Sequence, residues 1–85
     1  SQESADNSVR LFQAQNGVLF VTVNDAAKAT DYTVYLYDAT GRILGQHAFN
    51  GATTAIRLPQ SAKGMVILKV ESSNGFKGAA KAMVR

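Results

Sequence analysis

Eighty-five residues, 46% of them hydrophobic, are enough for one small domain with a core of its own and too apolar for a disordered tail. The chain has no cysteine, which excludes disulfide staples and thiolate metal sites and leaves the redox compartment open. Net charge is +3, and no apolar run approaches the ~20 residues of a membrane-spanning helix.

Ser1 to Ser8 is polar apart from Ala5 and without periodicity, so it predicts a linker over 1–8 ahead of a folded domain over 9–85. It has neither the basic nor the apolar region of an export leader, which an exported parent would carry further upstream. After it, short β-branched runs alternate with turn signals, the pattern of a sandwich or barrel. Val9 to Gln15 predicts a first strand, ended by the hairpin dipeptide Asn16-Gly17. Val18 to Val23 is apolar at nearly every position, as in a strand covered on both faces. Asn24 to Asp31 reads as a loop, in which Asp25-Ala-Ala-Lys-Ala has the composition of one helical turn.

Tyr32 to Asp38 alternates, with Val34 and Leu36 on one face and Thr33, Tyr35 and Tyr37 on the other. Asp38-Ala-Thr-Gly41 turns the chain, Arg42 to Phe49 returns, and Asn50-Gly51 turns it again. Thr53 to Leu58 predicts a strand with Ile56 and Leu58 toward the core, stopped by Pro59. Met65 to Glu71 is the strongest strand.

The last hairpin admits two registers. A two-residue Asn74-Gly75 turn sets Leu68 beside Lys81. A three-residue loop, Ser73-Asn74-Gly75 with a bulge, instead pairs Ser72 with Phe76. Val66, Leu68 and Val70 then meet Ala82, Ala80 and Gly78, Glu71 meets Lys77, and Lys69 and Lys81 share the outer face. A one-residue slip would invert the strand, so burial selects the bulged loop. Seven strands and no long helix give the expected fold, an all-β, seven-stranded immunoglobulin-like antiparallel β-sandwich, with a barrel as the alternative.

Catalytic chemistry finds little support. His47 is the only histidine and sits mid-strand, so it is expected to be an exposed or half-buried strand residue, and no nitrogen/sulfur metal set exists. Asp25, Asp31 and Asp38 lack the spacing of a calcium loop and are expected to cap or solvate loops. Tyr32, Tyr35 and Tyr37 form either a carbohydrate-stacking stripe or, as expected, ordinary cross-strand contacts. No cofactor or metal, and no enzyme, is expected. Residues 42–85 hold seven of the nine basic residues against Glu71 alone, which favours an acidic partner, while their wide spacing with little aromatic company argues against nucleic acid.

Three segments together change the picture. Val34-Tyr-Leu-Tyr-Asp-Ala-Thr-Gly-Arg42-Ile-Leu resembles the "apolar-x-apolar-Tyr-Asp/Asn-x-x-Gly-Arg/Lys-apolar" segment of C-terminal sorting domains of the type IX (Por) secretion system. Ile56-Arg-Leu-Pro59, then Gly64-Met-Val-Ile-Leu-Lys69-Val70, resembles that family's "Leu-Pro … Gly-x-Tyr-apolar-apolar-Lys/Arg-Val" segment. Lys81-Ala-Met-Val84-Arg85 is similar to its basic-apolar terminal strand. The resemblance runs from about Val18 to Arg85, with Val66 in place of the family's aromatic and a longer gap from Pro59 to Gly64.

The resemblance implies a signal domain on a cargo protein. The cargo reaches the periplasm by general export, is recognised by the outer-membrane translocon and shuttle proteins of the type IX system, and arrives at the outer-membrane surface or outside the cell. In many members a cell-surface sortase removes the domain, and some members keep it as part of the apparatus. A terminal basic strand offers an edge and a charge pattern, which makes Lys69, Lys77, Lys81 and Arg85 the candidate recognition residues, with Gly64 shaping the start of the face and Val84 in the terminal strand. Their other reading is solubility and edge protection. A monomer or a strand-swapped dimer is expected. The competing function is a structural or adhesive immunoglobulin- or fibronectin-like spacer of a surface protein.

Overall fold

The computed structural model of the chain describes residues 2–4, 9–13, 17–24, 31–60 and 62–84. Because strand side chains alternate between faces, apolar residues at every second position gather on one side of each ribbon. Among the described residues there are eight strands, of which only the first is wholly polar: β1 (Gln2–Ser4), β2 (Val9–Gln13), β3 (Val18–Val23), β4 (Asp31–Asp38), β5 (Ile43–Asn50), β6 (Thr53–Arg57), β7 (Gly64–Glu71) and β8 (Lys77–Val84). A five-stranded sheet runs β1-β8-β7-β4-β5, a three-stranded sheet runs β2-β3-β6, and every pairing is antiparallel. No helix occurs among the described residues.

The inner faces meet in one core. Leu19, Val21 and Val9 of the small sheet and Val34, Leu68 and Val66 of the large one are essentially inaccessible. Burying each such side chain stabilises by about 1.5–3 kcal/mol before chain entropy is charged against it. Tyr32 closes one end, stacked on Phe49 at 5.2 Å and edge-on to Phe76 at 6.0 Å. Leu58 and Ala62 extend the core beyond β6, and the Leu58 N–H donates to Gly17 O at 2.7 Å. Two separate sheets, of five and three strands, replace the barrel alternative.

The last hairpin takes the bulged register: Leu68 pairs with Ala80, Val66 with Ala82, Val70 with Gly78 and Glu71 with Lys77. Ser72 N–H donates to Phe76 O at 3.0 Å, Gly75 N–H donates to Ser72 O at 3.1 Å, and Gly75 sits at φ +94°. The β4–β5 turn repeats this construction. There Asp38 N–H donates to Arg42 O at 2.9 Å, Gly41 N–H donates to Asp38 O at 3.0 Å, and Gly41 has φ +91°. Both loops therefore need a residue at positive φ in the fourth place, which glycine accepts without a Cβ clash.

Three expectations are corrected. Gln2–Ser4, inside the segment expected to be a linker, is a strand along Ala80–Ala82 of β8. Its polar sequence carries no apolar signal, and it is placed by backbone pairing with β8. β8 is consequently not the sheet's edge but lies between β7 and β1. β3 is covered on one face only: Leu19, Val21 and Val23 are buried, while Phe20 is 38% exposed on a side where no third layer packs. The rest of the expected linker and the Asp25–Ala29 helical turn lie outside the described residues.

Candidate functional site

Parity decides which candidate residues meet. On β7 and β8 the even positions Val66, Leu68, Val70, Ala80 and Ala82 point inward, so Lys69, Lys77 and Lys81 emerge together on the outer face of the five-stranded sheet. Lys77 and Lys81 lie four residues apart on β8, about 13 Å along the strand. Lys69 pairs with Ala79 between them on the neighbouring strand. The three ammonium groups thus form a triangle rather than a line along an edge.

Each lysine has a distinct setting. Lys69 Nζ lies 5.4 Å from the centroid of the Tyr37 ring, within cation–π range. Lys77 faces Glu71 across the hairpin. Lys81 lies opposite Ile67 on one side and the Glu3 position of β1 on the other. All three are exposed. Among the described side chains of β7 and β8, three lysines stand against the single carboxylate of Glu71.

Gly64 and Val84 pair with each other where β7 begins and β8 ends. Gly64 has φ +79° and bends the entry to β7. Val84 has even parity and is partly buried against the core rather than presented with the lysines. Arg85 lies outside the described residues. The structure therefore joins Lys69, Lys77 and Lys81 on one face and sets Val84 apart from them.

The same face holds residues that the search for charge passed over. Ile67 is half-buried beside Tyr37, and on the far side of Tyr37 lies Ile43, 54% exposed. Met83, 45% exposed, pairs with Met65. Odd parity shared with Lys69 and Lys81 was the available signal for Ile67 and Met83. Cationic and apolar side chains are thus interspersed on this face, with Ile43, Tyr37 and Ile67 in one row with Lys81, and Met83 in the next, a mixed surface suited to binding.

The remaining candidates serve the fold. Asp38 Oδ1 accepts from the Thr40 hydroxyl at 2.6 Å, the Thr40 N–H at 2.9 Å and the Arg42 N–H at 3.0 Å. These bonds, led by the Thr40 hydroxyl and then the Arg42 N–H, hold its carboxyl below the usual aspartate range. The Arg42 Nε contact at 3.7 Å is long and solvated, and contributes little. Asp31 Oδ1 accepts from Ser73 Oγ at 2.9 Å. His47 is half-buried on the inner side of β5, with Nε2 3.1 Å from Thr54 Oγ1, a bridge between the two sheets. Tyr32 is buried in the core while Tyr35 and Tyr37 face outward, so the three tyrosines do not form a stripe. Among the described residues no three His, Asp or Glu side chains converge as a metal site would need.

No family model matches the chain, and no curated protein matches it. Among solved structures it is similar to a DUF3244 family protein with an immunoglobulin-like β-sandwich fold from Bacteroides vulgatus. That match covers 100% of this chain and 95% of the other, with a TM-score of 0.72 and 12% identity. The fold is an immunoglobulin-like β-sandwich.

Proposed function

We infer that this domain is a non-catalytic sorting signal, read as a folded surface by the type IX outer-membrane translocon and its shuttle proteins. One observation carries the reading. Of the segments that resemble the sorting family, Val34–Leu44, Gly64–Val70 and Lys81–Val84 belong to β4–β5, β7 and β8, consecutive neighbours in one sheet, while Ile56–Pro59 runs from the end of β6 in the other sheet into the loop after it. Lys69 and Lys81 lie on the outer face of that sheet, beside Tyr37 and Ile67.

In this reading recognition acts through side chains on the sheet face, because β1 already pairs with the middle of β8. The test is the export of a periplasm-directed reporter carrying this domain at its C-terminus, compared between the wild-type domain and a Lys69→Glu/Lys81→Glu variant. Loss of surface reporter from a variant that melts like wild type supports recognition on this face. Equal export of the two would remove the lysines from it and return them to solubility.

A further inference from the structure

The outer face of the small sheet is unusual. Alternation should place polar residues there, and instead the middle row is Phe12, Phe20 and Ala55. Phe12 is 66% exposed and Phe20 38% exposed, with ring centroids 6.2 Å apart. Neither ring touches the core, so folding does not require them. Two exposed rings side by side, with Ala55 next to them, make an apolar strip that a ligand can cover.

The neighbouring rows say which kind of ligand. Two residues along the strand, about 7 Å away, Arg10 pairs with Thr22, which in turn pairs with Thr53. Arg57 stands at the other end of the face, opposite Val18. The described side chains on this face include Arg10 and Arg57 and no carboxylate. A hollow of about 290 Å³ opens at that neighbouring row, lined by Arg10, Thr22, Val23, Asn24 and Ala52. The Thr22 and Thr53 hydroxyls lie 3.2 Å apart, and since one proton serves that bond the other remains for a ligand.

We propose that this face binds an acidic saccharide, with a hexose ring lying on Phe12 and Phe20 and its carboxylate at Arg10. The apolar face of a pyranose covers an aromatic ring, and its hydroxyls find Thr22, Thr53 and Asn24 at the margin. The hollow, just below the usual size of ligand pockets, has room beside Arg10 for the carboxylate end of the sugar rather than for a chain. Two arginines flanking one aromatic pair do not track successive phosphates as a nucleic-acid groove does. The site is on the sheet opposite the candidate recognition face and stands independently of the sorting reading.

The experiment is calorimetric titration of residues 1–85 with oligogalacturonate, alongside maltohexaose as the neutral saccharide, a single-stranded oligonucleotide and vesicles containing phosphatidylglycerol. Saturable binding of oligogalacturonate, at least tenfold tighter than maltohexaose, is expected. Phe12→Ala lowers that affinity at least tenfold while the melting temperature holds, since the ring is outside the core. Arg10→Gln erases the preference for the acidic saccharide over the neutral one. Absence of saturable binding overturns the proposal, as does binding that survives Phe12→Ala. Tighter binding of the oligonucleotide or the vesicles overturns it in favour of those ligands.

Discussion

Leu68 lies directly across from Ala80, and that pairing sets the face of every residue in the last two strands. The large side chain is fully buried and the small one leaves room for the opposite sheet. Leu68→Ala should destabilise by about 2–5 kcal/mol, a large share of the ~5–10 kcal/mol such a domain holds. Lys81→Gln, one residue along on the outer face, should stay within about 0.5 kcal/mol. Denaturant midpoints of the two variants check the register. A larger loss at Lys81 than at Leu68 contradicts it.

The two bulged turns make a sharper comparison among glycines. Gly41→Ala and Gly75→Ala each force a Cβ into positive φ and should cost about 1–2 kcal/mol. Gly45 has no positive φ, and a Cβ there would meet Leu36 Cδ1 at an ordinary 3.8 Å. Gly45→Ala should therefore be neutral or stabilising by up to ~1 kcal/mol, because it restricts the unfolded chain. Thermal melts of the three variants decide between backbone strain and crowding as the reason for glycine.

Parity assigns the tyrosines. Tyr32→Ala removes a buried ring stacked on Phe49 and should cost about 3–5 kcal/mol. Tyr35→Ala, on the outer face, should cost a small fraction of that. Similar losses at both positions would return all three tyrosines to a common role.

Acid should weaken the β4–β5 turn in a defined window. The Asp38 carboxyl is held below its ordinary pKa by the Thr40 hydroxyl and then the Arg42 N–H. Its contribution is therefore present above the unfolded-state value, about 3.9, and lost as pH falls through the lower folded-state value. Asp38→Asn should be less stable than wild type at pH 7, and the gap should close on titration toward pH 2. A gap that widens in acid contradicts the assignment.

What the sequence made legible, and what it hid, has a common cause. The β7–β8 register could be read because Leu68 and Lys81 cannot exchange faces without burying an ammonium group. The β4–β5 turn could be read because Gly41 answers a backbone need. β1 was hidden, since Gln2, Glu3 and Ser4 carry no apolar period and are placed by backbone hydrogen bonds to β8. Phe20 misled: an apolar residue on the open face of β3 looks the same in sequence as one on a covered face. The lysines of the candidate site were legible as a charge cluster. Their apolar companions Ile67 and Met83 followed from the same parity once that register was read, but carry no charge to single them out.

The sorting role is tested most directly by where a reporter goes. Residues 1–85 are fused to the C-terminus of a periplasm-directed reporter in a bacterium with a type IX apparatus, and protease-accessible reporter on intact cells is measured with the apparatus working and disabled. A sorting signal gives surface or secreted reporter in the first case and periplasmic reporter in the second. A reporter that stays periplasmic while a native cargo is exported normally beside it contradicts the account and leaves the domain as a spacer.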